Sequence, residues 1–203
     1  MLENLIEQVK FCTLCQENLP LGPRPVIQLS HKSKILIAGQ APGLKVHKTG
    51  LPFNDASGDR LREWLGVTQE VFYDDTQFAI LPMGFCYPGK GKSGDLPPRA
   101  ECASTWREKL LNELKNIELT IVIGQYAQAY HLPKSSNNVL KKMSKKVTDN
   151  VKNWQDFWPQ IIPLPHPSPR NNIWLKRNPW FKAELLPPLK DRVHSILERS
   201  SIE

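Results

Sequence analysis

No run of apolar residues in this chain approaches the roughly 20 needed to span a bilayer as a helix. The start of the chain does not read as a secretory signal either, because "MLENLIEQVKF" is amphipathic and carries acid from Glu3 onward. Both absences point to a soluble, cytoplasmic protein with no membrane partner. There is no internal repeat, and the lysine-rich tract near 140–146 is too short to count as low complexity. No second domain boundary stands out, so residues 1–203 are expected to form a single domain, long enough for a substantial core; oligomeric state has no signal in the sequence, and a monomer is assumed. Negative charge is in deficit: 27 Lys and Arg against 20 Asp and Glu give a formal charge of +7, a balance that favours polyanionic partners. Cysteine is scarce at four residues, and a cytosolic setting disfavours pairing them as disulfides.

Proline, by contrast, is abundant at 18 residues, much of it in "GDLPPRAE", "PLPHPSPRNN" and "LLPPLK". Proline fixes φ and removes a donor, and Trp and Phe lie among these stretches, so they are expected to be stiff, shaped loops. Four short apolar runs read as buried strands: 34–39, 78–83, 119–124 and 160–165. Helical patterns fall between them, at 2–11, 55–67, 99–116, 125–132 and 151–158, and at 181–200 with a break near Pro187. Strands without polar alternation, separated by helices, predict a three-layer α/β/α sandwich around a central four-stranded parallel sheet. Ligands of such sheets sit at the carboxyl ends of the strands. "GQAPG", "GFCYPGKGKSGDLPPR" and "HPSPRNN" each follow a strand, so their chemistry is expected to converge on one edge.

Cys12 and Cys15 form a C-x2-C pair, Cys86 follows the second strand, and Cys102 opens the long helix. Four thiols with none left over suit tetrahedral coordination of zinc or a four-iron cluster. Four ordinary buried cysteines are the bland alternative.

Taken in order, the early C-x2-C, "GQAPGLKVHKTGLPF" after the first strand, Cys86 with Cys102, and "HPSPRN" after the last strand resemble the uracil-DNA glycosylase superfamily, in particular its iron–sulfur branch. The resemblance spans roughly Cys12 to Trp180. It implies a [4Fe-4S] cluster on Cys12, Cys15, Cys86 and Cys102, with zinc as the alternative. It implies that DNA with a damaged base is the partner and that the N-glycosidic bond is hydrolysed in base excision repair. The alternatives are a catalytically silent member that binds a lesion without cutting, and a metal-stabilised protein unrelated to DNA.

The same comparison suggests roles. His166 would steady the departing base, Gln40 would position water, and Phe53 would stack on the extruded base. Gly39, Ala41 and Gly43 would bring backbone close to the base, while Ser168, Arg170 and Asn171 would hold phosphates. Lys90, Lys92, Lys176 and Arg177 would extend a positive track. Two departures are visible. Gln40 stands where the iron–sulfur glycosylases carry Glu, and an amide can orient water but cannot take its proton. The base-reading Asn of the second strand falls near Pro82 or Met83. His47, Asn54 and Asp55 are candidate substitutes, His47 and Asp55 in catalysis and Asn54 in base reading. Asp55 also suits a helix cap and His47 a solvated loop, while Phe53 could be plain core.

Overall fold

A computed structural model of the chain describes residues 1–92, 94–133, 144 and 146–200. The expected basic loop over 133–146, with Lys141, Lys142 and Lys145, lies almost wholly outside the described residues.

The strands are β1 (Ile35–Ala38), β2 (Phe78–Ile80), β3 (Lys90–Gly91), β4 (Gly94–Asp95), β5 (Leu119–Ile123) and β6 (Ile161–Leu164). The expected parallel sheet is present, in the order β2-β1-β5-β6. Its two faces are both covered, which is why its strands read as unbroken apolar runs. Ile35, Ile37, Ile121, Ile123, Ile162 and Leu164 pack against Leu61, Trp64 and Leu65 of helix Ala56–Leu65 and against Leu189, Val193 and Ile196 of the last helix. On the opposite face Leu36, Ala79 and Leu81 meet Leu2 and Val9 of helix Leu2–Lys10, together with Leu110 and Leu114. Ala38 and Val122 meet Ala127 and Leu132.

The strand order carries the functional consequence. From β1 the chain moves outward to β2, and from β5 it moves the other way to β6. The loops leaving β1 and β5 therefore part company and open a crevice beyond the carboxyl ends of the two central strands.

Several local expectations change. The long helix is Ala100–Cys102, then a wider π-helical turn at Ala103–Arg107, then Glu108–Glu113. The last helix, Leu186–Ser200, is not broken at Pro187. Pro187 and Pro188 sit in its first turn, where a missing N–H costs nothing, and the irregular turn Phe181–Leu185 comes before them. The expected helix at 151–158 is instead helix Val147–Lys152 followed by a 3-10 turn, Trp154–Asp156. Helix Leu44–Thr49 and the antiparallel β3–β4 hairpin carry no clear sequence signal and are new. No helix among the described residues is long and apolar enough to cross a membrane.

Candidate active site

The crevice is a cleft of about 680 Å³. Its walls come from distant parts of the chain: Gly39–Gly43 after β1, Pro52, Phe53 and Asp55–Ser57 at the start of helix Ala56–Leu65, Gly94 and Asp95 of β4, Gly124 and Gln125 after β5, and Pro165, His166 and Ser168–Asn171 after β6. The glycine turn near residue 40 and the histidine near 166 thus share one slot.

His166 owes its state to its own loop. The Ser168 N–H donates to His166 Nδ1 (3.2 Å), so on the neutral ring the proton sits on Nε2. Burial lowers the His166 pKa and Arg170 adds to this, while the carboxylates of Asp55 and Asp95 pull the other way; the net shift is downward. At neutral pH the ring is therefore a neutral donor. Arg60 secures the loop from across the cleft, donating to Pro167 O (3.2 Å), Ser168 O (3.1 Å) and Asn172 Oδ1 (2.9 Å). Asn171 Nδ2 donates to His166 O (2.7 Å), and Ser168 Oγ accepts the Arg170 N–H (3.3 Å). Ser168 and Asn171 thereby shape the loop that they were expected to hold on phosphate.

Phe53 has φ of 53°, the one non-glycine residue with positive φ among those described. For an aromatic side chain that backbone costs on the order of 1–3 kcal/mol. It is held by its surroundings. Tyr73 OH donates to Pro52 O (2.9 Å), and the next helix presses so close that a Cβ on Gly58 would fall inside the Phe53 carbonyl. The ring lies edge-on to Phe72 (6.2 Å) and over Gly39, where an added Cβ would sit 3.4 Å from Phe53 Cζ. It is half-buried and faces the cleft.

Asp55 caps helix Ala56–Leu65, its Oδ1 accepting from Ser57 N (2.9 Å) and Gly58 N (3.0 Å), while also lining the cleft. Gln40 Nε2 donates to Leu96 O (3.2 Å), tying the first loop to the end of the β3–β4 hairpin. Three expected residues do not reach the cleft wall. His47 lies on helix Leu44–Thr49, buried beside Tyr87 (6.1 Å between rings), with its pKa pushed down by burial and by Arg24. Asn54 is not among the residues that line the cleft, and Met83 packs in the core with Ala38 and Val122; Pro82 lines the cleft instead.

Arg107 was not singled out by its sequence context. It is fully buried, donates to Leu81 O (3.0 Å) and Pro82 O (2.7 Å), meets His131 Nε2, and lies over the Tyr130 ring (5.2 Å). Burial lowers its pKa to about 10, so it keeps its charge, and His131 beside it is driven down to about 3. From behind, this pair fixes the loop that follows β2. Trp174 lines the cleft, donates to Thr148 Oγ1 (2.8 Å) and packs on Phe181 (5.7 Å). Lys90, Lys92, Lys176 and Arg177 are all exposed.

A second, separate pocket is lined by Cys12, Cys15, Cys86 and Cys102 together with Arg99 and apolar residues. Trp106 Nε1 donates to Cys12 Sγ and the Phe85 N–H to Cys102 Sγ, each at 3.3 Å. Burial pushes the Cys86 thiol up to about 11 and Cys102 to about 12. Among the described residues no three ligating groups are drawn in to metal-binding distance. The four cysteines nonetheless line one pocket, with N–H donors to two of their sulfurs of the kind that steady charged sulfur, so the donor set fits a thiolate-held group.

A parallel α/β/α sandwich with an open cleft beyond the carboxyl ends of its central strands is the class of fold that the chain adopts. A family model described as the uracil DNA glycosylase superfamily matches residues 27–190, and the chain belongs to that superfamily. The Type-4 uracil-DNA glycosylase of Thermotoga maritima is 27% identical to it over 172 residues, which cover 83% of this chain and 82% of the relative.

Proposed function

We propose that the protein is a cytoplasmic, monomeric DNA glycosylase that hydrolyses the N-glycosidic bond of uracil or another damaged base. The observation that carries this reading is the meeting of Gly39–Gly43, Phe53 and His166 around one cleft, with the only carbon-free proton of the neutral His166 ring on Nε2. The target base must leave the stack to be reached. In the slot, the Phe53 ring offers it a face, and the narrow Gly39 lets the two pack without a side chain between them. Cleavage passes through a cation-like sugar and releases the base as an anion. A preorganised donor at a developing oxyanion is worth most in a site shielded from water, and His166 Nε2–H is such a donor. Among the described residues no lysine lines the cleft, which favours hydrolysis without a Schiff base.

Cys12, Cys15, Cys86 and Cys102 would hold a [4Fe-4S] cluster, which when bound supplies a structural tie between the N-terminal turn and the loop after β2. Iron and sulfide near four each per chain, with absorption at roughly 400 nm, are expected for protein purified without oxygen. Zinc in place of iron would leave the protein colourless and overturn the cluster.

The direct test incubates the protein with single- and double-stranded oligonucleotides carrying uracil, hypoxanthine or xanthine and measures abasic sites. Release from at least one is expected. Lesion-dependent binding without release would favour a silent binder, a reading to which the amide at Gln40 lends support. Binding absent even at low salt would remove DNA as the partner, because phosphate contacts make affinity salt-dependent.

A further inference from the structure

Hydrolysis leaves one role unfilled: something must take the proton of the attacking water. Gln40 cannot, because an amide has no basic lone pair at neutral pH. His166 cannot either. Its Nδ1 already accepts the Ser168 N–H, and its Nε2 carries the proton that meets the base. Among the described residues lining the cleft, the carboxylates are Asp55 and Asp95. The Oδ1 of Asp55 is engaged by two helix N–H groups, Ser57 and Gly58.

Asp95 stands differently. It ends β4, opposite Lys90 in the hairpin register, and its carboxylate lies against the first loop, with Oδ2 3.6 Å from where a Cβ on Gly43 would be. The hairpin end is fixed in three ways: the Leu96 N–H donates to Gly89 O (2.8 Å), Leu96 O accepts from Gln40 Nε2 (3.2 Å), and Arg170 lies against Gly94. The charge of Asp95 reaches both His166 and Tyr87. The charged or titratable groups around it are thus His166 and Arg170 from the loop after β6, Lys90 across the hairpin, Tyr87 before it, and Asp55 at the opposite wall.

Resting on the glycosylase reading above, we propose that Asp95 is the catalytic base, and that the bond between Gln40 and Leu96 holds it beside the water. The water oxygen forms a bond to C1′ while one water proton passes to the Asp95 carboxylate. The C1′–N bond breaks, and its electron pair leaves with the base, which accepts a hydrogen bond from His166 Nε2–H. The proton on Asp95 then returns to solvent or to the departed base, so the enzyme ends as it began. Before proton transfer, the anionic carboxylate also faces the positive charge that develops on the sugar. Asp95 is exposed and joined to the body by backbone bonds, so its replacement leaves the fold intact.

The test is single-turnover release on whichever of the uracil, hypoxanthine or xanthine oligonucleotides the wild type processes fastest. Asp95→Asn is expected to slow release by about 100-fold or more, with oligonucleotide affinity and melting temperature unchanged. Adding Gln40→Glu to Asp95→Asn should restore part of the rate, because it returns a proton acceptor to the same corner. Release by Asp95→Asn within about threefold of wild type would overturn the assignment and leave the glycosylase reading standing. Wild-type protein that releases no base from any of the three would overturn both.

Discussion

His166→Ala is expected to lower the rate of base release by about 100- to 1,000-fold, the usual loss when one donor to a developing anion is removed. The measurement is single-turnover cleavage at saturating enzyme, where the loss should appear in the chemical step and leave oligonucleotide affinity within a few-fold. The reasoning is local. The ring has been fixed in one tautomer by the Ser168 N–H, and its loop is gripped by Arg60 at two carbonyls, so no reorganisation is needed when the base departs. His166→Asn, which offers a weaker donor at a similar reach, should keep more activity than alanine. Equal activity of His166→Ala and wild type would show that the departing base is steadied elsewhere. The pH behaviour has a definite sign. The folded pKa of His166 is lowered, so the unfolded chain binds more protons on the acid side. The stability associated with the neutral ring is complete above the ordinary histidine value, near 6.5, and is lost as pH falls below it. Protonation at Nδ1 would also eject the Ser168 N–H and loosen the loop.

Gly58→Ala reverses an ordinary rule. Within a helix, where Gly58 is the third residue of Ala56–Leu65, alanine should stabilise relative to glycine by up to roughly 0.8–1 kcal/mol. Here the added methyl would occupy the place of the Phe53 carbonyl, and backbone cannot step aside as a flexible side-chain tip can. A loss of about 1–3 kcal/mol is expected instead, as for an overpacked core. For a chain of this size that corresponds to a fall of roughly 2–12 °C in Tm. Release should drop as well, because the helix and the turn that presents the Phe53 ring are pushed apart. A variant as stable as wild type, with full activity, would mean that the turn relaxes freely and that the positive φ of Phe53 has no bearing on the site.

What could be read in advance follows the range of the forces involved. The strands and the Asp55 cap are set by residues within a few positions of one another, and the text of the chain displays them directly. The shared edge of the glycine turn and the His166 loop follows from the parallel topology, which places every strand's carboxyl end together. The remainder depends on reach. Arg60 meets the carbonyls of Pro167 and Ser168, more than a hundred residues away, and Arg107 meets Leu81 and Pro82 from another helix. Nothing adjacent to those arginines announces the bond. His47 was expected on a loop because Lys-Thr-Gly follows it, yet that stretch winds into a short helix ending on Gly50 and turns the ring inward. Asp95 escaped notice because a two-residue strand leaves no periodicity to detect.

The arginine buried behind the β2 loop has a further effect. It takes the carbonyls of Leu81 and Pro82, while the N–H groups of Leu81, Met83 and Gly84 go to Ile37, Gly39 and Gln40, and Pro82 has none to give. That side of the slot therefore has no backbone proton left to offer over residues 81–84. A purine or pyrimidine lowered against it meets contour and carbonyl oxygen, so this wall sorts its guests by silhouette and never by giving a hydrogen bond from its backbone.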